Sequence, residues 1–273
     1  MTSEWIVDEA QPEDAPAIAR LLGTVLPSRL NDLSIWSSPK LSRYLAGLIE
    51  SRHADSERRI FVLRGPQDLV GAASMKDFGA DLWMDNIHVV PDFRKKMLAN
   101  EFIVEVLERC LVLRPVEYVG WDSYTGDPRL DAWHKRLGGV EQSRTGWHTL
   151  SLDGFEFQPH ILPSQVEGMA EADERHAEWG FSSFAVHTSK GCYTIGRLPA
   201  PYFRIIDVAA ARDLELLRIL CTLDRSRKVL LLGPEELGDA GWLRVAVSRR
   251  EKALIRPLMR RLRAMVAMSG RAQ

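Results

Sequence analysis

Residues 82–110, read L-W-M-D-N-I-H-V-V-P-D-F-R-K-K-M-L-A-N-E-F-I-V-E-V-L-E-R-C, restrict the fold more than any other stretch. An apolar run of strand length ends at Pro91, a short loop carries Arg94, Lys95 and Lys96, and an amphipathic helix follows at once. A strand that feeds a helix through so short a basic turn brings the helix's unpaired N–H groups, its positive dipole end and three cations to one place. That combination holds phosphate.

The surrounding pattern is α+β. Residues 5–10 alternate as a short strand, and P-E-D-A-P-A-I-A-R-L-L opens a helix with acidic residues in its first turn. Residues 37–54 have helical apolar spacing at Leu41, Tyr44, Leu45 and Leu48. Residues 59–64, 69–78 and 82–90 form a predicted antiparallel meander, separated by Gly-Pro-Gln-Asp and Phe-Gly-Ala-Asp turns. A helix over 95–113, a strand over 116–124, a helix stopped at Leu137-Gly138-Gly139 and a hairpin over 140–152 turning at Arg144-Thr145-Gly146 complete the first half.

Residues 155–163, with two prolines and no periodicity, mark a boundary between a first domain, 1–153, and a second, 164–273. The second half repeats the order of the first: strands at 184–187, 192–198 and 202–208, a helix at 212–223 and a strand at 228–233. Internal duplication explains the recurrence, and chance similarity among α+β patterns is the alternative.

With 273 residues and 45% hydrophobic residues, the chain has material for two cores. A net charge of -1 gives no global pull toward DNA or an anionic membrane, so any basic site is local. Cys110, Cys192 and Cys221 lack metal-ligand spacing and sit in apolar settings that read as core packing, without zinc or disulfide. The start has no basic region followed by an apolar stretch, and no segment has about 18 consecutive apolar residues, so a soluble cytoplasmic protein is expected. The tail R-R-E-K-A-L-I-R-P-L-M-R-R-L-R-A-M reads as a solvated helix face with Leu254, Leu258, Leu262 and Met265 in the core, or as a basic surface for nucleic acid or membrane.

The element order, together with V-V-P-D-F-R-K-K-M-L-A and A-W-H-K-R-L-G-G, resembles the GCN5-related N-acetyltransferase (GNAT) superfamily over residues 4–152. The resemblance implies a central mixed sheet flanked by helices, followed by a smaller, degenerate GNAT-like domain without catalysis. It also implies that acetyl-CoA is the acyl donor, that no metal takes part, and that the acceptor is a primary amine. The pyrophosphate loop would be Arg94, Lys95, Lys96, Met97, Leu98, Ala99 and Asn100. Met97 stands where the family has a glycine, whose missing Cβ lets backbone approach phosphate. Ile87, His88 and Val89 would splay from the next strand and meet the pantetheine arm.

The family often protonates the departing thiolate with a tyrosine, and His134 occupies that position. Histidine can serve as acid or base near neutral pH, or it can be an ordinary helix residue. Twelve residues before it lies Asp122, matching the general base of the branch that acylates protein amino termini. Asp85 is the reserve base, Tyr124 the reserve proton donor, and Asp127 replaces an asparagine that often touches pantetheine. The second junction, V-A-A-A-R-D-L-E-L-L, lacks cations, and Asp213 and Glu215 would repel phosphate.

The leading expectation is an acetyl-CoA-dependent N-acetyltransferase, monomeric or homodimeric, acting on a peptide amino terminus or amine-bearing metabolite by direct attack. Two alternatives are acyl transfer from aminoacyl-tRNA or a carrier protein, and an inactive GNAT-like binding or regulatory module.

Overall fold

The protein is described by a computed structural model over residues 5–24, 26–51, 58–94, 98–156, 163–238 and 241–269. In chain order its strands are β1 (Ile6–Glu9), β2 (Arg58–Arg64), β3 (Leu69–Phe78), β4 (Asp81–Val89), β5 (Tyr118–Tyr124) and β6 (Val140–Ser151). They continue with β7 (Val166–Glu167), β8 (Ser182–Thr188), β9 (Gly191–Arg197), β10 (Tyr202–Ile205), β11 (Lys228–Gly233) and β12 (Leu243–Leu254). The chain divides into two compact units. The first comprises the described residues within Met1–Val25, Leu45–Ser143 and Arg249–Gln273; the second comprises Leu26–Tyr44 and Arg144–Ser248.

In the first unit, β1 to β4 pair antiparallel in sequence, and β5 returns parallel to β4 after the helix Leu98–Leu113. The run Ile60, Phe61, Val62 and Leu63 is buried on both faces of β2, as expected for a strand covered on two sides. The core gathers Phe61, Met75, Met84, Phe102, Leu107 and Trp121 with Leu258, Leu262 and Met265 from the C-terminal helix Ile255–Ser269. Burial of each large apolar side chain contributes roughly 1.5–3 kcal/mol, so that helix is an integral part of this core. Leu254, assigned to the core from helical spacing, is instead 49% exposed at the end of β12. The helix Pro128–Leu137 starts where Asp127 accepts from the Arg129 and Leu130 amides at 2.9 and 3.3 Å, and it stops at Gly138, whose φ is 76°.

The second unit repeats the plan. Strands β8, β9 and β10 form an antiparallel trio, the helix Leu214–Leu223 follows, and β11 lies parallel to β10. Its core includes Phe184, Ile195, Phe203, Leu216, Leu220 and Val229. The Leu26–Tyr44 segment joins it through Tyr44, edge-on to Trp179 and Phe181 at centroid distances of 5.6 and 4.9 Å.

Several sequence expectations change. The division into 1–153 and 164–273 differs from the contact division, because residues 249–269 pack with the first unit and Leu26–Tyr44 with the second. No hairpin turns at Arg144-Thr145-Gly146: β6 runs unbroken, and residues 146–151 pair antiparallel with β11. Gly146 serves close approach here, since a Cβ would collide with the His148 ring and the Pro234 carbonyl oxygen. Cys110 and Cys221 are buried, but Cys192 is exposed at the start of β9, where its side chain leaves the core face.

Candidate active site

The parallel pairing of β4 and β5 runs from Asp81↔Tyr118 to Met84↔Trp121. Beyond Met84, β4 keeps its register only with β3, so the two parallel strands part where Ile87, His88 and Val89 follow. The β3 register also shifts there: Ser74 faces Asn86 and Met75 faces Met84, leaving Asp85 as the extra residue of a β-bulge. A bulge adds twist and re-aims a side chain, and bulges concentrate beside active sites.

Asp85 is largely buried, and its carboxyl is held above the usual carboxylate range by burial, against the opposing charges of Arg58 and Lys76. Arg58 Nη2 lies 2.6 Å from Asp85 Oδ2. Asp122, on β5 past the end of the parallel pairing, is 44% exposed and accepts Arg250 Nε and Nη2 at 3.1 and 3.0 Å. Both oxygens are therefore engaged by one guanidinium, a two-pronged match of planar groups. The Arg250 guanidinium lies 4.7 Å from the Trp83 ring centroid. Trp83 in turn lies against Gly120, where a Cβ would collide with a ring carbon. Tyr124, two residues beyond Asp122, has its phenol pushed up by burial and by the Asp122 charge, so it stays protonated through neutral pH.

His134 is 4% exposed and stands between Trp121 and Trp133, at centroid distances of 5.7 and 5.1 Å. Its Nδ1 is 3.5 Å from Glu251 Oε2, at the outer limit for a hydrogen bond, while Trp121 Nε1 donates to that same oxygen at 3.0 Å. Burial, aided by the Arg249 charge, lowers its pKa to about 4 against the opposing pull of Asp131. A buried ring with its pKa lowered to about 4 is neutral at pH 7, and its immediate surroundings are those of a packed side chain.

The loop residues divide. Arg94 ends a short helix, Pro91–Arg94, while Lys95, Lys96 and Met97 lie outside the described residues. The long helix begins at Leu98, so its N-terminus follows that loop as expected. Leu98 and Asn100 are buried, Ala99 is partly so, and Asn100 Oδ1 accepts from Trp133 Nε1 at 2.9 Å. These side chains secure the helix start. His88 is also buried, its Nε2 lying 3.4 Å from Thr24 Oγ1. Asp127 caps a helix, as described above. The bulge at Asp85 could not be read from the sequence, because a bulge leaves no mark in apolar alternation.

The second unit fills its own corresponding junction. Asp213, 0% exposed, caps the helix Leu214–Leu223 through the Glu215 and Leu216 amides at 3.0 and 3.4 Å and accepts from Thr188 Oγ1 at 2.6 Å. Glu215 accepts from the Ser189 amide and hydroxyl at 2.9 and 2.6 Å. Internal carboxylates thus supply the negative charge that the helix N-terminus favours.

This architecture, two units each with a strand trio, a helix and a parallel fourth strand, is the GNAT fold in tandem. A tandem GNAT protein from the clavulanic acid biosynthesis pathway superposes with a TM-score of 0.61 at 12% identity, covering 92% of this chain and 98% of that one. A GCN5-related N-acetyltransferase from Sphaerobacter thermophilus gives 0.58 at 14% identity, over 93% and 97%. A putative acetyltransferase from Pyrococcus horikoshii gives 0.57 at 13% identity, over 93% and 90%. No family model and no curated protein matches the chain. Among the described residues no cluster of His, Cys, Asp and Glu suits a metal ion, and no helix is long and apolar enough to cross a membrane.

Proposed function

We propose that the first unit is an acetyl-CoA-dependent N-acyltransferase that acylates a primary amine by direct attack. The observation that carries this reading is the parting of β4 and β5 after Met84 and Trp121, with Asp85 bulged out at the fork, within a tandem GNAT fold. Backbone at Ile87, His88 and Val89 would run beside the pantetheine arm. Arg94, Lys95, Lys96, Met97 and the amides opening the helix at Leu98, Ala99 and Asn100 would face the pyrophosphate. The bound thioester supplies an acyl carbon activated toward amines.

Asp85 is the preferred base. Asp85 also faces a guanidinium, Arg58, but burial still leaves its proton affinity raised. That matches it better to taking a proton from an ammonium than the half-exposed Asp122, gripped on both oxygens by Arg250. It would take that proton directly or through one water, freeing the nitrogen lone pair. As the C–S bond breaks, Tyr124 would give its proton to the departing sulfur; the nitrogen now bonded to the acyl carbon would release its second proton to solvent, which reprotonates Tyr124. Asp122, the base expected from sequence, instead fixes the orientation of Arg250. The second unit, with its junction filled by Asp213 and Glu215, would take no donor.

Calorimetry with acetyl-CoA and with CoA, followed by thiol release across an amine panel, tests the reading. Saturable binding with amine-dependent thiol release is expected. Absence of binding at millimolar donor sinks it, and binding without release from any amine points to the inactive module.

A further inference from the structure

Sheet register sets Arg58, Lys76, Trp83 and Gly120 side by side across four strands, so their side-chain positions share one face. Asp122 lies two residues beyond Gly120 on that face, and Arg250 reaches it while stacking on Trp83. Asp122 is matched by Arg250 and Asp81 by Lys252, while Asp85, beside Arg58, is the carboxylate given to the reacting ammonium. A polycationic acceptor would find Asp122 and Asp81 taken when it brought its other ammonium groups. Arg250, by contrast, spends Nε and Nη2 on Asp122, while Nη1 has no partner among the described residues and the side chain is 53% exposed. A guanidinium seated over an indole and squared by a carboxylate keeps its remaining edge oriented for an anion. Lys76 adds a second cation to the same face, its Nζ lying 4.9 Å from the Phe78 ring centroid.

We propose that the amine acceptor also carries a carboxylate and that Arg250 binds it, so that the substrates are amino acids or short peptides with a free carboxyl group. The inference rests on the acyltransferase reading above. Trp83, itself buried, supplies the surface that positions the Arg250 guanidinium, and Gly120 leaves the room its ring needs. Asp85, two positions along β4 from Trp83, then receives the ammonium end of the same molecule.

The test uses the full chain, acetyl-CoA and matched acceptors: α- and β-amino acids, dipeptides, the amides of each, the amines lacking the carboxyl group, and putrescine. In the wild type, kcat/KM should favour each free acid over its amide by roughly tenfold to a hundredfold, the worth of one charge-assisted hydrogen-bonded pair. Arg250→Gln should collapse that ratio toward one, mainly through KM, and Arg250→Lys should restore part of it. Equal use of acids and amides, preference for putrescine, or an equal loss on both classes in Arg250→Gln would overturn the assignment. So would failure of every carboxylate-bearing amine to react in a protein that binds acetyl-CoA. If acetyl-CoA does not bind, the acyltransferase reading fails first, and the two failures are thereby told apart.

Discussion

Asp122 and Arg250, 128 residues apart in sequence, meet through two hydrogen bonds of 3.1 and 3.0 Å. The link ties β5 to β12 inside the first unit, so the C-terminal strand furnishes a residue of the candidate site. Both side chains are about half exposed, and such pairs contribute about 0–1 kcal/mol.

Asp122→Asn should therefore change unfolding free energy by less than about 1 kcal/mol, with a modest loss of kcat/KM that lies chiefly in KM. Asp85→Asn should instead lower kcat by about 10²- to 10⁴-fold, the usual range for one general base. Denaturant titration and steady-state kinetics on the two variants check both. A larger kcat loss in Asp122→Asn than in Asp85→Asn would reverse the assignment of the base.

The raised proton affinity of Asp85 makes a pH prediction. Activity should fall on acidification with a midpoint above the ordinary carboxylate value of 3.8, as the base becomes protonated. For stability the sign is opposite. A carboxyl whose folded pKa is raised stabilises the fold below its unfolded pKa, and that contribution is lost as pH rises through the folded value. Asp85→Asn should flatten both dependences, read from pH–rate profiles and from denaturation midpoints between pH 3 and 8.

Much of the fold was legible because local patterns carry it. Residues 228–233 read as a strand and form β11, residues 69–78 form β3, and the Leu137-Gly138 stop is a helix end with left-handed Gly138. Leu258, Leu262 and Met265 showed their burial through helical spacing. What local patterns do not encode is which sheet a strand joins. Residues 146–151 follow the first unit in sequence yet pair with β11, and residues 249–254 follow the second yet belong with β5. Alternation specifies a buried face and leaves the neighbour open. In the site, the spacing from His134 to Asp122 drew attention to two residues whose environments differ from that expectation. One is enclosed by tryptophans, and the other is bound by an arginine that only the tertiary fold delivers.

His134 should act on stability. Its pKa is about 4 in the folded chain against 6.5 for the free side chain, so the unfolded state binds more protons between those values. Stability is thus present above pH 6.5 and drains away as pH falls toward 4, by on the order of 3 kcal/mol at about 1.4 kcal/mol per unit. His134→Phe should remove that part of the acid sensitivity and leave kcat at neutral pH within about threefold, since general acid catalysis is worth at least about a hundredfold. Urea midpoints at pH 7, 5 and 4, with kcat at pH 7.5, check it. A hundredfold drop in kcat with the fold intact would return His134 to the mechanism.

Gly120 is the last residue on which the candidate acceptor face depends. Its absent Cβ leaves room for the Trp83 ring, and Trp83 carries the Arg250 guanidinium. Gly120→Ala forces the indole to swing off the strand or the strand to shift, an overpacking that costs about 1–3 kcal/mol. A swung indole also takes the stacking surface from Arg250, so KM for the acceptor should rise while affinity for acetyl-CoA stays unchanged. Trp83→Leu relieves the clash, so the Gly120→Ala and Trp83→Leu double variant should be more stable than Gly120→Ala while keeping the raised acceptor KM. Recovery of stability together with a wild-type acceptor KM would show that the indole is packing alone and has no part in acceptor binding.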